Sequence, residues 1–161
     1  MILGVRWWTA EANDLAPPTA IETVTNAPET LGTSYHFGFT SLYVRGRHSL
    51  HITGAHVDGT RPSVRLTIEA AHFLNGGYPM GLNDHYFAQR YSHLQRFPID
   101  AIRLSPGVKP DWYLLITMRP TEAGTYALKS VTIDYTSNGR RGHRQFPFAV
   151  QVTATPRPRS K

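Results

Sequence analysis

The sequence predicts an all-β fold: an antiparallel two-sheet sandwich with one long connection carrying a short helix. Three observations predict it. Apolar residues alternate with polar ones in several short runs, which is the period of a half-buried antiparallel strand. Glycine and proline punctuate the runs at Gly46, Gly59, Pro62, Pro106, Gly107 and Pro120. The 161-residue length suits one domain able to bury its own core without disulfides.

The strands follow in order. Tyr35, Phe37, Phe39 and Ser41 alternate within 34–44, with Tyr43 continuing the series. Leu50, Ile52 and Gly54 alternate within 49–57, and Val64, Leu66, Ile68 and Ala70 follow. Leu114, Ile116 and Met118 mark a strand within 112–119. Val131, Ile133 and Tyr135 mark another, and Phe146, Phe148, Val150 and Val152 the last. Asn138-Gly139 lies between those two runs. A type I′ turn needs positive φ at both central residues, so this pair predicts a tight hairpin.

Residues 31–154 are expected to form the sandwich. Residues 1–30 stand apart in composition, and Met1 to Trp8 reads Met-Ile-Leu-Gly-Val-Arg-Trp-Trp. Tryptophan favours the lipid headgroup level, so this piece is read either as the outer end of a membrane span or as a first strand. Residues 155–161 are polar and proline-rich and predict a disordered tail. No run reaches the ~18 apolar residues of a transmembrane helix.

The net charge of +6 is uneven. The body is neutral, and the excess lies in Arg140, Arg141, Arg144, Arg157, Arg159 and Lys161. The hairpin arginines are expected to be exposed. A nucleic-acid footprint spreads along a face or helix, so no nucleic-acid partner is expected. With no cysteine there is neither a disulfide framework nor a thiolate site.

Trp112–Leu128 reads Trp-Tyr-Leu-Leu-Ile-Thr-Met-Arg-Pro-Thr-Glu-Ala-Gly-Thr-Tyr-Ala-Leu. An apolar strand leads to Glu122, then Gly124, Tyr126 and Leu128 at alternate positions. This resembles the E–F corner of an immunoglobulin domain, in which the tyrosine hydroxyl bonds to backbone upstream and fixes the crossing between sheets. Leu128 stands where that family has cysteine. With the N-terminal piece, the chain resembles the extracellular immunoglobulin-like domain of a bacterial membrane protein. The resemblance implies structural roles for Gly124, Tyr126, Leu128, Asn138 and Gly139, a location outside the cell or on its surface, and anchoring through the N-terminal side.

The stretch 72–96 interrupts the alternation. Connections this long are often functional. Asn75-Gly76-Gly77 and Pro79 predict turns, and the second half predicts a short helix capped by Asn83 or Asp84. Phe87, Tyr91 and Leu94 fall on one helical face and are expected to pack on the sandwich. Tyr78, His85, Tyr86, Arg90, Tyr91 and His93 are the candidate binding residues, a mix enriched at recognition hot spots. The alternative is a lid that caps the open end of the sandwich.

The eight histidines match no metal-ligand spacing. His48 and His51 are three apart on an extended segment and point to opposite faces. No metal or cofactor is expected. The chain has no nucleophile elbow, phosphate-binding loop or dinucleotide fingerprint, so it is not expected to be an enzyme. The first expectation for function is a noncatalytic interaction or structural module with an unknown protein or glycan partner. Two alternatives remain open at this point. One is a carbohydrate-binding sandwich using Trp7, Trp8 or Tyr78 as stacking rings. The other is a histidine-based metal-binding protein of the periplasm or cell exterior.

Overall fold

A computed structural model describes residues 13–17, 23–59, 61–72, 82–107 and 112–158. Its strands are β1 (Thr23–Thr30), β2 (Tyr35–Leu42), β3 (Leu50–Asp58), β4 (Val64–His72), β5 (Leu82–Asn83), β6 (Gln95–Pro98), β7 (Arg103–Leu104), β8 (Trp112–Pro120), β9 (Gly124–Ser137) and β10 (Arg140–Thr155). The helix α1 spans Asp84–Tyr91, and a 3-10 turn spans Ile99–Ala101.

The strands form two five-stranded sheets in the orders β1-β10-β9-β3-β7 and β5-β2-β8-β4-β6. Every pairing is antiparallel except that of β1 with β10, which is parallel. The chain is therefore the all-β two-sheet sandwich with a short helix that the alternation predicts. The inward residues of both sheets share one core. Phe37 and Phe148 meet across it with ring centroids 5.8 Å apart, over Ile116, Ile133 and Val150.

The parallel strand β1 widens the expected domain. Residues 23–30 pair with β10, and Leu15 is fully buried and bridges to Val44. The sandwich thus takes in residues upstream of the boundary expected at 31. At the other end β10 closes at Thr155, and Pro156–Pro158 are exposed.

The register shifts in four of the pairings, and an extra residue moves the phase of the side chains after it, as β2 and β3 illustrate. In β2 the shift falls between Gly38 and Thr40. Thr40 and Leu42 are then buried, whereas the even alternation placed Ser41 and Tyr43 on the Phe37 face; both are half-buried. In β3 the shift between Ile52 and Gly54 hands the inward positions to Ala55 and Val57.

The β9–β10 hairpin turns at Asn138 (φ 48°) and Gly139 (φ 72°), the conformation a type I′ turn requires. Arg140 and Arg141 beside it are exposed. Arg144 departs from the expectation. It is half-buried, its Nε donates to the Leu15 carbonyl at 3.1 Å, and its Nη2 bonds to the Asn13 side chain. The N-terminal segment supplies a buried acceptor that the strand pattern could not reveal.

Where the chain crosses from β8 to β9, Tyr126 is only 4% exposed. Its hydroxyl donates to the Glu122 carbonyl at 2.7 Å and lies 3.3 Å from Ser63 Oγ, so it ties the turn to the opposite sheet. Gly124 precedes it at φ 152°, in the region that favours glycine. Leu128 is buried in the core.

Candidate recognition surface

The helix α1 lies across the outer face of the second sheet. The sandwich end, which a lid would have capped, is not where it sits. Residues one position out of phase with the core point to this face: His36 from β2, Ala71 from β4, Leu115 and Thr117 from β8. Ala71, Leu115 and Phe87 form a second, smaller cluster, with Tyr91 and Leu94 packed against it.

Phe87 is the anchor. It is 7% exposed and stacks on the His36 ring at 4.2 Å. The Arg96 guanidinium, from β6, lies 5.8 Å from the Phe87 centroid and 3.5 Å from Glu69. The Tyr91 ring lies 5.6 Å from Phe87. After α1 ends, the Leu94 amide bonds to the Tyr91 carbonyl at 3.0 Å, which turns the chain into β6. Buried aromatic stacking and a cation above the ring hold the helix in one orientation.

The next face of α1 is open to solvent. Tyr86 and Arg90 lie four apart on it and are exposed, with His85 beside them, and His93 is exposed in the turn that follows. Tyr86 is 59% exposed, more than any other large hydrophobic side chain among the described residues. His85 meets Tyr86 edge-on at 5.5 Å, and Gln89 Nε2 donates to His85 Nε2 at 3.1 Å. The stripe offers a phenol, a guanidinium and imidazoles. These groups suit a partner bearing carbonyl or carboxylate acceptors and an apolar patch for the Tyr86 ring.

The structure divides the candidate binding residues. His85, Tyr86 and Arg90 share the exposed side of α1, and His93 is exposed in the turn that follows it; Tyr91 is half-buried and belongs mainly to the anchoring side. Tyr78, Trp7 and Trp8 lie outside the described residues. His36 is not among the candidates that the sequence singles out. It is 6% exposed and shares a 2.9 Å hydrogen bond with Thr117 Oγ1. Its place between Tyr35 and Phe37 put it on the outer face, but only the helix above buries it.

A second polar arrangement lies on the outer face of the first sheet. Ser130 Oγ donates to Asp58 Oδ2 at 2.5 Å, and Gln145 Nε2 donates to the same oxygen at 3.2 Å. These bonds, Ser130 first, hold the Asp58 carboxyl below its ordinary range; partial desolvation opposes them and the nearby His56 adds to them. His56 Nδ1 lies 3.7 Å from Asp134 Oδ2. Among the described residues no group of three histidine, cysteine, aspartate or glutamate side chains is placed to hold a metal ion.

No family model matches this chain, and no curated protein is significantly similar to it. Among solved structures, the VesB protease of Vibrio cholerae aligns with 88% of this chain and 32% of its own, at 12% identity and a TM-score of 0.42. The chain therefore spans less than two thirds of that protein's length. A likeness this distant carries no argument about function.

Proposed function

We propose that this chain is a noncatalytic, immunoglobulin-like recognition module that works outside a bacterial cell and binds a protein through the exposed stripe of α1. One observation carries the reading. Tyr86 projects from a helix whose neighbouring face is fixed by Phe87 against His36, Ala71 and Leu115. A tyrosine ring has few rotatable bonds and, on a rigid helix, loses little freedom on binding, which is how a small surface becomes a hot spot; Arg90 adds a guanidinium beside it.

The immunoglobulin-like part of the reading is supported by strand order. The central strands β2-β8-β4 and β3-β9-β10 repeat the B-E-D and C-F-G arrangement of that sandwich. The Tyr126–Glu122 bond repeats its tyrosine corner.

The test is an array of cell-surface proteins beside a glycan array, probed with the wild-type chain, Tyr86→Ala and Arg90→Ala. Losing a hot spot costs about 2 kcal/mol, or roughly thirtyfold in affinity. The expected result is a protein signal weakened by that factor in both variants. Binding to glycans alone, or a protein signal indifferent to both substitutions, overturns the reading.

A further inference from the structure

Sheet register brings together arginines that are far apart in sequence. Leu50 pairs with both Leu104 and Ser137, and Ser137 pairs with Arg140. The end of β7, the start of β3 and the tip of the β9–β10 hairpin therefore meet at one end of the sandwich. One row across this end runs Arg103, His51, Thr136, Arg141. The loop entering β3 adds Arg45, Arg47 and His48. Arg45, Arg47, Arg103, Arg140 and Arg141 are all exposed, and none of them makes an ion pair among the described residues. The carboxylates nearby are Asp14, beside Gly46, the exposed Asp100, whose carbonyl lies 3.1 Å from His51 Nε2, and Asp134, two rows further in and 3.7 Å from the His56 ring. The body that looked neutral in sequence has one strongly basic end.

The first described residues also lie at this end. The Asp14 carbonyl accepts from the Arg45 amide at 2.7 Å, and Leu15 is held by Val44 and by Arg144. Upstream of Asn13 the sequence contains Ile2-Leu3-Gly4-Val5-Arg6-Trp7-Trp8. The opposite end holds Thr155, 16 residues of β10 away, or about 50 Å at ~3.3 Å per residue.

We propose that the basic end is a docking surface for an anionic lipid bilayer, on which the domain stands with Asn13 toward the membrane and Thr155 away from it. Guanidinium groups pair with phosphate oxygens in a fork geometry. A basic cluster holds a membrane weakly by itself and firmly when an apolar signal is added. Asn13 lies at this end, and the sequence upstream of it contains apolar residues and two tryptophans. That coincidence favours lipid over nucleic acid, because a nucleic-acid site needs no such apolar neighbour.

The experiment is sedimentation of the full chain with vesicles of phosphatidylcholine alone, and of phosphatidylcholine mixed equally with phosphatidylglycerol. The expected result is selective binding to the anionic vesicles that weakens as salt rises. Each surface arginine contributes about fivefold, so Arg140→Gln/Arg141→Gln should lower binding roughly twenty-five-fold, and Arg45→Gln/Arg47→Gln by a similar factor. All four positions are exposed, so the melting curves should match the wild type, and Arg103→Gln gives an independent readout if one pair misfolds. Tyr86→Ala should bind vesicles like the wild type, which separates this surface from α1. Equal binding to both vesicles, binding unchanged by the glutamine variants, or tighter binding to a short DNA duplex at the same salt overturns the proposal.

Discussion

Replacing Tyr126 by phenylalanine removes one oxygen from the place where the chain passes between sheets. The ring stays, so core packing is conserved and the change isolates the hydroxyl. That hydroxyl donates to the Glu122 carbonyl at 2.7 Å and contacts Ser63 Oγ at 3.3 Å. A net hydrogen bond is worth about 1 kcal/mol, and an acceptor left buried and unpaired costs more. Glu122 is exposed, so water reaches its carbonyl and limits the second cost. The expected loss is about 1–2 kcal/mol, with a Tm lower by about 2–8 °C for a domain of this size. Urea denaturation monitored by tryptophan fluorescence measures it, and the slope m should not change. A loss below about 0.5 kcal/mol, the scatter of ordinary surface substitutions, would refute the claim that the hydroxyl fixes the corner.

Other outcomes follow from the same geometry. Gly139→Ala meets no steric neighbour but keeps φ at 72°, so it should cost about 1 kcal/mol through backbone strain alone, read from the thermal melt. Arg144→Ala removes the cationic donor to the Leu15 carbonyl and should cost about 1.5–3 kcal/mol; the Ala16 amide, bonded to Tyr43, should then exchange with solvent faster. Ser130→Ala removes the largest cause of the lowered Asp58 titration, so the carboxyl should rise toward the ordinary ~3.9, as followed by NMR. In the wild type, the folded Asp58 value lies below the unfolded one. Its stabilising contribution is therefore complete above the unfolded value and is lost as pH falls through the folded one.

The strands were legible where period-two alternation ran unbroken, as in β8 and the second half of β10. Bulges hid the rest. In β2 the extra residue at Gly38–Thr40 moved Leu42 inward, and a strict alternation assigns it outward. β6 reads Gln-Arg-Phe-Pro and pairs only with the end of β4, so nothing in its composition marks a strand. The helix was legible from the spacing of Phe87 and Tyr91, yet the sheet face it covers was not. That face is set by Ala71 and Leu115, whose outward direction depends on register. Burial of His36 and of Arg144 also depends on a distant segment arriving above each side chain. The same holds for Arg45, Arg47 and Arg103, which join the hairpin arginines only through strand pairing.

The central claim is that α1 carries a surface made for contact on one face and an anchor on the neighbouring one. Comparing thermal melts of Tyr86→Ala, Arg90→Ala and Phe87→Ala tests it most directly. Tyr86 and Arg90 are exposed, so each truncation should leave stability within about 0.5 kcal/mol of the wild type. Phe87 is buried against Ala71 and Leu115, and its truncation should cost about 3 kcal/mol. If Tyr86→Ala or Arg90→Ala destabilises the protein as much as Phe87→Ala, the helix is a structural cover and the recognition account is contradicted.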